Sequence, residues 1–285
     1  MSSTIKIVEC PRDAMQGIQE FIPTQKKIEY INQLLKVGFD TIDFGSFVSP
    51  KAMPQLKDTT EVLAGLDLKR TSSKLLSIIA NNRGAEIACT FKQINYLGFP
   101  LSVSETFQKR NTNKSIMEAL QVVEEIQNLC IKNNKELVVY LSMAFGNPYK
   151  EEYHPDIVAE LTERLNKLNI SIVALSDTIG VSNQDNIPPL FDVLINEYPN
   201  IEFGAHFHTK SEQWEEKIDA AYQNGCRRFD TTIKGYGGCP MAKDDLVGNM
   251  STENLISYLV PKDVELNINK DLLDNIVKKM SIYFP

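Results

Sequence analysis

The sequence predicts an α/β fold, a (β/α)₈ barrel of parallel strands, from three observations. Short β-branched runs alternate with helical patterns along the whole chain of 285 residues, which gives eight strands and eight helical segments. Several strands, such as residues 136–141, are almost entirely apolar, as is typical of a sheet covered on both faces. No Gly-x-Gly-x-x-Gly pattern follows the first strand, so a doubly wound open sheet is the weaker alternative.

The predicted strands share β-branched and aromatic residues and are bounded by polar or glycine-containing segments. They cover residues 5–9, 41–44, 75–80, 94–101, 136–145, 170–175, 201–207 and 228–233. No linker or charge block marks a second domain. We therefore expect residues 1–285 to form a single barrel domain with a C-terminal helical extension.

Apolar residues at helical spacing predict the segments between the strands, most strongly over residues 115–133. The first helix begins at Thr24 and ends before Gly38. Later helices are predicted over residues 59–66, 84–92, 115–133, 157–168, 187–197, 211–224 and 252–259, and the C-terminal extension covers residues 270–283. Residues 102–113 are polar and are interpreted as a connecting segment.

Composition and charge exclude several functional classes. The net charge of −7 argues against general nucleic-acid binding, so an anionic ligand must meet local positive charge. No apolar run reaches the ~20 residues that span a membrane, and the early first strand leaves no room for a leader peptide. The five cysteines are scattered without a Cys-x-x-Cys motif, which favours reduced thiols in a cytoplasmic protein. A homo-oligomer is left open.

Two of the three histidines, His206 and His208, lie one residue apart at the end of the seventh predicted strand. Alternate residues of a strand point to the same face, so both imidazoles share a direction. The pair alone is ambiguous, because two histidines can also make ordinary hydrogen bonds at a strand end. A carboxylate from another strand would favour a divalent-metal site.

Polar side chains also follow the other strands, at the end of a barrel where enzymes of this fold place their active sites. They include Arg12, Asp13, Asp43, Ser46, Lys51, Ser104, Lys109, Arg110, Tyr140, Ser142, Asp177 and Asn249. Each could alone be a helix cap or a turn residue. The whole set is the distribution expected of a catalytic face.

Asp13 follows the first strand and is expected to meet His206 and His208 over the barrel mouth. One carboxylate and two imidazoles, with positions open for substrate and water, suit a divalent ion. Oxygen-bearing side chains at neighbouring strand ends favour Mg²⁺ or Mn²⁺ over a structural Zn²⁺.

Arg12 stays charged at neutral pH and could stabilise an oxyanion. A salt bridge to Asp43 or Glu9 is a second role, compatible with the first. Cys239 lies in a glycine-rich segment, residues 235–240, that could move as a lid. Its alternative role is that of a small buried apolar residue.

These segments resemble hydroxymethylglutaryl-CoA lyases over nearly the whole chain. The similar motifs cover residues 11–13, 46–51, 104–105, 109–111, 176–181, 206–208, 237–240 and 248–249. Pro-Arg-Asp and His-x-His are shared with Claisen-type synthases on the same barrel, whereas residues 46–51 and 237–240 are more specific to the lyases. Asp43 stands where the family usually has glutamate. The loop from Cys239 to Asn249 is one residue longer than usual.

The resemblance implies cleavage of 3-hydroxy-3-methylglutaryl-CoA, an acyl-CoA, into acetoacetate and acetyl-CoA. It implies four metal ligands, Asp13, His206, His208 and Asn249. Arg12 would stabilise the thioester enolate, Asp13 would accept the hydroxyl proton, and Cys239 or a water would protonate the enolate carbon. Candidate contacts for the CoA phosphates are Lys51, Lys109 and Arg110.

Three alternatives remain. The substrate could be another 3-hydroxy-3-alkylacyl-CoA. A Claisen-type synthase is less favoured, because such enzymes usually carry a further C-terminal region. A non-catalytic barrel is expected to have lost at least one of Arg12, Asp13, His206 and His208, and all four are present.

Overall fold

Eight parallel strands close into a barrel in the computed structural model, which describes residues 4–238, 247–262 and 264–284. They are β1 (Lys6–Glu9), β2 (Thr41–Ser46), β3 (Lys74–Ile78), β4 (Ile94–Ser102), β5 (Glu136–Ser142), β6 (Ile172–Asp177), β7 (Glu202–Thr209) and β8 (Arg228–Thr231). Each pairs in parallel with the next, and β8 pairs with β1. The predicted (β/α)₈ barrel is confirmed.

Helices surround this barrel and connect its strands. They are α1 (Pro11–Gln16), α2 (Thr24–Leu34), α3 (Thr59–Ala64), α4 (Asn82–Cys89), α5 (Glu105–Thr112), α6 (Ile116–Lys132), α7 (Pro155–Lys167), α8 (Ile187–Glu197), α9 (Trp214–Gln223), α10 (Thr252–Leu259), α11 (Lys270–Lys278) and α12 (Met280–Tyr283). In the part of the chain that the structure describes, none of them is long and apolar enough to cross a membrane.

Two short elements near the strand ends differ from the prediction. Residues 105–112 form helix α5, although the polar sequence suggested a connecting segment. Ser104 caps this helix by accepting a hydrogen bond from the Phe107 amide. Only Phe107 and Gln108 are buried in it, so its apolar periodicity is too weak to predict a helix. The short helix α1, directly after β1, is the second addition.

A ninth strand, β9 (Gly248–Asn249), lies outside the barrel and pairs antiparallel with the end of β7. In this pairing Asn249 lies opposite His208, and Gly248 lies opposite Thr209. The strand follows the loop after β8 and returns the chain to the end of the barrel where the parallel strands finish.

Apolar side chains form one cluster between the barrel and its helices and a smaller cluster inside the barrel. The inner cluster consists of Leu76, Ile78, Tyr96, Val138, Tyr140, Ile172 and Ala174. These residues belong to β3, β4, β5 and β6, and each buried aliphatic side chain contributes about 1.5–3 kcal/mol to stability. Opposite them, β2, β7 and β8 bring the polar side chains Asp43, His206 and Asp230 inside. The buried carboxylates and the imidazole are therefore grouped on one side of the barrel interior.

Candidate active site

Asp13 reaches the barrel mouth because the chain turns from β1 into α1 at Cys10. Proline at position 11 starts the helix, where its missing amide proton costs no hydrogen bond. Arg12 and Asp13 both lie in the first turn and are buried. The strand-to-helix turn thus places a cation and an anion side by side at the end of the strand.

His206 and His208 project from β7 with their ring centroids 5.5 Å apart. The Nδ1 of His208 lies 2.9 Å from the carbonyl oxygen of Thr178, and that of His206 lies 3.1 Å from Oδ2 of Asp230. A carbonyl oxygen only accepts, so His208 carries its proton on Nδ1. The Asp230 carboxylate favours the same tautomer in His206. Both rings therefore present Nε2 to a metal ion.

Asp13 completes a group of three potential metal ligands with the two histidines. Their ligand atoms all lie within 4.8 Å of one another, and Nε2 of His206 is 3.7 Å from Oδ2 of Asp13. Ligands about 2.1 Å from one ion lie no more than about 4.2 Å apart, so small shifts suffice. One carboxylate and two imidazoles form a donor set that fits a divalent ion.

Asn249 lies beside these ligands despite the longer loop that precedes it. The pairing of β9 with β7 sets it opposite His208. Its Nδ2 donates to the carbonyl oxygen of Tyr236 at 3.0 Å. An amide oxygen is a suitable ligand for Mg²⁺ or Mn²⁺.

Arg12 is held by three acceptors. Its Nε and Nη2 donate to Oδ2 of Asp43 at 2.9 and 2.6 Å, so the predicted salt bridge between them is present. Its Nη1 donates to Oδ1 of Asp13 at 3.2 Å and to Oε1 of Gln16 at 2.8 Å. Gln16 in turn donates to Oδ1 of Asp13 at 2.6 Å, which leaves Oδ2 on the side facing His206.

The charges of this cluster keep Arg12 and Asp13 ionised. Burial alone would lower the pKa of Arg12, but the charges of Asp43 and Asp13 raise it above its ordinary value. Burial alone would raise the pKa of Asp13, but the charge of Arg12, followed by those of the histidines, lowers it. Burial raises the pKa of Asp43 to about 6, and the charge of Arg12 opposes that rise.

The two histidines respond differently to the same burial. For His208, burial and then the charge of His206 lower the pKa. For His206, burial also favours the neutral ring, but the hydrogen bond and charge of Asp230 outweigh it and raise the pKa. A carboxylate behind one ring and a neutral carbonyl behind the other explain the difference.

A cavity of about 380 Å³ opens over these groups. Its floor is polar and is formed by Arg12, Asp13, Gln16, His206 and His208. One wall is apolar and includes Val48, Met53, Ile78, Pro100 and Phe107. Among the predicted substrate contacts, Arg110, Tyr140 and Ser142 line the cavity. A ligand with a polar head and a longer, partly apolar body fits this division.

Asp177 does not line the cavity, so its predicted contact with substrate has no support in this geometry and stays a prediction. The neighbouring Ser176 pairs with His206 in the barrel, and successive strand residues point to opposite faces. Asp177 therefore points outward, where its Oδ2 accepts a hydrogen bond from Lys217 at 2.9 Å. Lys217 is fully buried and also donates to the carbonyl oxygen of His208 at 2.9 Å. Through Lys217, the Asp177 carboxylate thus supports the backbone of His208, one of the potential metal ligands.

The remaining predicted substrate contacts lie outside the cavity lining. Ser104 caps α5, and Lys109 pairs with Glu105 on the exposed side of that helix at 3.0 Å. The hydroxyl of Ser46 accepts a hydrogen bond from the amide of Val48 at 3.1 Å. Lys51 is exposed on the turn after β2. Cys239 lies outside the described residues.

Sequence reasoning missed three residues that support the site: Gln16, Lys217 and Asp230. Asp230 could have been identified from the sequence, because an aspartate in the middle of a short buried strand needs a hydrogen-bonding or charged partner. Gln16 follows Asp13 by three residues, which is neighbouring spacing on a helix, but α1 itself was not predicted. Lys217 lies within a predicted helix, and nothing in its pattern distinguishes it from a surface lysine.

Comparisons with known proteins identify the family of this chain. The HMGL-like family model matches residues 4–278. The hydroxymethylglutaryl-CoA lyase YngG of Bacillus subtilis is 34% identical over 275 residues, which cover 96% of this chain and 91% of the relative. The cytoplasmic 3-hydroxy-3-methylglutaryl-CoA lyase of Danio rerio is 34% identical over 266 residues, covering 93% of this chain and 78% of the relative.

Solved structures give the same result. An HMG-CoA lyase from Acinetobacter baumannii, determined in complex with coenzyme A and 3-methylmalate, is similar with a TM-score of 0.91 at 30% identity. The match covers 99% of this chain and 93% of that chain. The Bacillus subtilis HMG-CoA lyase matches with a TM-score of 0.91 at 32% identity, covering 100% of this chain and 95% of that one.

Proposed function

Because the chain belongs to the HMGL-like family, we propose that it cleaves 3-hydroxy-3-methylglutaryl-CoA into acetoacetate and acetyl-CoA. The lyase relatives and the similar lyase structures support this activity. The observation that carries the proposal is the contact of Arg12 with Asp13 beside His206 and His208 at one end of the barrel. A metal site and a fixed cation in one cavity suit cleavage of a carbon–carbon bond next to a thioester.

The proposed cofactor is Mg²⁺ or Mn²⁺. Its ligands would be Asp13, His206, His208 and Asn249. Carboxylate and amide oxygens with imidazole nitrogens match the preference of these ions. When bound, the ion would polarise the C3 hydroxyl of the substrate and lower the pKa of that hydroxyl.

Asp13 is the proposed base. Its carboxylate is ionised, and Arg12 and Gln16 occupy its Oδ1. The other oxygen remains on the side of His206, where the C3 hydroxyl would be placed. Loss of the hydroxyl proton to this oxygen converts C3–O into the carbonyl of acetoacetate as the C2–C3 bond breaks.

Arg12 is proposed to stabilise the second product as it forms. The electron pair of the broken bond moves through C2 onto the thioester oxygen, which gives the enolate of acetyl-CoA. A guanidinium already held by Asp43 needs little reorganisation to meet that negative charge. Protonation of C2 then completes the reaction, and Cys239 is the proposed acid.

The α5 side of the cavity is the proposed contact for the CoA portion. Arg110 lines the cavity, and its guanidinium lies 4.8 Å from the ring centroid of Tyr149. It is therefore the best placed of the three basic residues proposed to meet CoA phosphates, ahead of Lys51 and Lys109. The apolar wall is proposed to contact the pantetheine arm.

Location in the cytoplasm, assembly into a homo-oligomer and a single domain over residues 1–285 stay predictions. The first is supported by Cys10, Cys89, Cys130 and Cys226, which are free thiols in the described part of the chain. The single domain is supported by the continuous cluster of apolar side chains between the barrel and its helices.

The deciding experiment is an assay of the purified chain with 3-hydroxy-3-methylglutaryl-CoA, following acetoacetate. We expect turnover with Mg²⁺ or Mn²⁺ and none after chelation. Homologues with a longer alkyl group at C3 are compared at the same concentration, and the natural substrate is expected to give the highest kcat/KM. Absence of turnover with either metal contradicts the proposal.

A further inference from the structure

An aromatic cluster joins the last helical segment to the loop after β8. The ring of Phe284 stacks on that of Tyr236, with centroids 5.4 Å apart and planes inclined by 8°. On its other side, Phe284 meets the edge of Tyr30 at 5.3 Å, and Tyr30 is buried in α2. Tyr236 is half-exposed, so Phe284 is the core-anchored ring that holds it.

The backbone of Tyr236 connects the aromatic cluster to Asn249, a proposed metal ligand. Its carbonyl oxygen accepts hydrogen bonds from Nδ2 of Asn249 at 3.0 Å and from Oγ1 of Thr232 at 2.8 Å. An amide side chain presents its donors and its acceptor on different atoms, and only the oxygen can bind a cation. Holding the NH₂ group on the Tyr236 carbonyl therefore decides where Oδ1 of Asn249 can point.

Gly237, the next residue, leaves this arrangement little freedom. Its φ is +91°, and an added Cβ would lie 2.6 Å from the carbonyl oxygen of Asp13 and 2.8 Å from Nδ2 of Asn249. The segment thus touches two of the proposed ligands at once. Moving Tyr236 by even half an ångström would change the position of the amide.

We propose that Phe284, through Tyr236, is a positioning residue that orients the amide of Asn249 for the metal ion. This inference rests on the proposed metal site. Phe284 itself lies outside the cavity lining, so its effect must pass through the Tyr236 backbone. If Phe284 served only to pack the C-terminal helix, its removal would lower stability and leave metal affinity unchanged.

The test measures Mn²⁺ dissociation constants of the full chain by electron paramagnetic resonance of the free ion. Asn249→Ala is expected to weaken binding by about tenfold, and Phe284→Ala by a few-fold. The double variant is expected to bind no more weakly than Asn249→Ala alone, since both act on one ligand. Ile282→Ala removes an exposed side chain of α12, two residues before Phe284, and should bind like the wild type.

Two substitutions of Tyr236 test the inference if thermal melting shows that Phe284→Ala does not fold. Tyr236→Phe keeps the stacked ring and should keep wild-type affinity, whereas Tyr236→Leu removes the ring, keeps the carbonyl and should weaken binding. Unchanged affinity in a folded Phe284→Ala or in Tyr236→Leu, or additive losses in the double variant, overturns the inference. Wild-type protein without Mn²⁺ affinity overturns the proposed metal site as well.

Discussion

The two sides of the cavity are held in place in different ways. On the metal side, formed by Asp13, His206 and His208, buried polar groups fix each ligand. The carbonyl oxygen of His208 accepts a hydrogen bond from Lys217. The His208 ring is hydrogen-bonded to the carbonyl oxygen of Thr178. Such a network is costly to desolvate but stays in one geometry once it is satisfied.

The α5 side, formed by Phe107, Arg110 and Asn111, depends on partly exposed contacts. Glu151 accepts hydrogen bonds from the amide and hydroxyl of Thr106 and so joins the loop after β5 to the start of the helix. Arg110 itself is exposed. Substitutions on the metal side should therefore alter kcat or metal affinity, whereas substitutions on the α5 side should alter KM.

The largest effect is expected for Arg12→Gln on the metal side. Losing a preorganised cation at a developing oxyanion is expected to lower kcat by about 10²–10³-fold or more. The three clustered ligands remain, so the dissociation constant for Mn²⁺ should change little. Steady-state kinetics at saturating metal and Mn²⁺ titration measure the two quantities. A variant with activity comparable to the wild type would refute the oxyanion role.

Asp230→Asn is expected to weaken Mn²⁺ binding by about 10–100-fold, because the carboxylate fixes the tautomer of His206 and makes the ring a better donor. Isothermal titration of the chain with Mn²⁺ measures the change. Asp192→Asn removes an exposed carboxylate on α8 and is the control for net charge. Equal affinities in the two variants would show that Asp230 is not an orienting partner.

Arg110→Gln tests the expectation that substitutions on the α5 side alter KM. We expect KM for the acyl-CoA to rise about fivefold with kcat nearly unchanged, since an exposed charge contact contributes about 1 kcal/mol. The adjacent Lys109→Gln removes the same charge from the outer side of α5, where it pairs with Glu105. Its KM should stay near the wild-type value. A matching rise in both variants would indicate general electrostatic attraction instead.

A pH dependence of stability is expected from Glu9, a buried carboxyl at the end of β1. Burial raises the pKa of Glu9 to about 8 from its ordinary 4.5, although Thr252 and the Ile233 amide donate to it. The native state then holds a proton that the unfolded chain loses between these values. Stability should therefore fall as pH rises from about 4.5 to 8 and level off above.

Thermal melting across this window measures the effect, with Tm expected to fall by roughly 2 °C per pH unit from this group. Glu9→Gln cannot ionise and serves as the reference. The difference in Tm between wild type and variant should follow the titration of Glu9. A difference that stays constant with pH would mean that Glu9 ionises with its ordinary pKa.

The barrel and the meeting of Asp13, His206 and His208 could be predicted because both follow from the alternation of strands and helices. Parallel strands place their carboxyl ends together, so Asp13 and the two histidines had to meet once the strands were counted. A period of two put His206 and His208 on one face. These inferences need only the strand count and the register of a single strand.

The sequence alone was insufficient at two places. At one, a shift of one residue in strand register decides which side chain faces inward; at the other, a helix has too little apolar periodicity to be recognised. Asp177 and Ser176 are adjacent, and only their pairing with β7 shows that the serine faces inward. Helix α5 buries two side chains, so its capping serine and its paired lysine looked like free polar groups. Lys217 supports His208 from another element, which no local pattern reveals.

The pairing of β9 with β7 fixes the position of Asn249 independently of the length of the loop before it. Main-chain pairing sets Asn249 opposite His208. Insertions or deletions in that loop can therefore accumulate without moving the ligand. The register of this two-residue strand therefore carries the placement of the proposed fourth ligand, and a substitution that breaks the β7–β9 pairing should displace Asn249 even when its own side chain is intact.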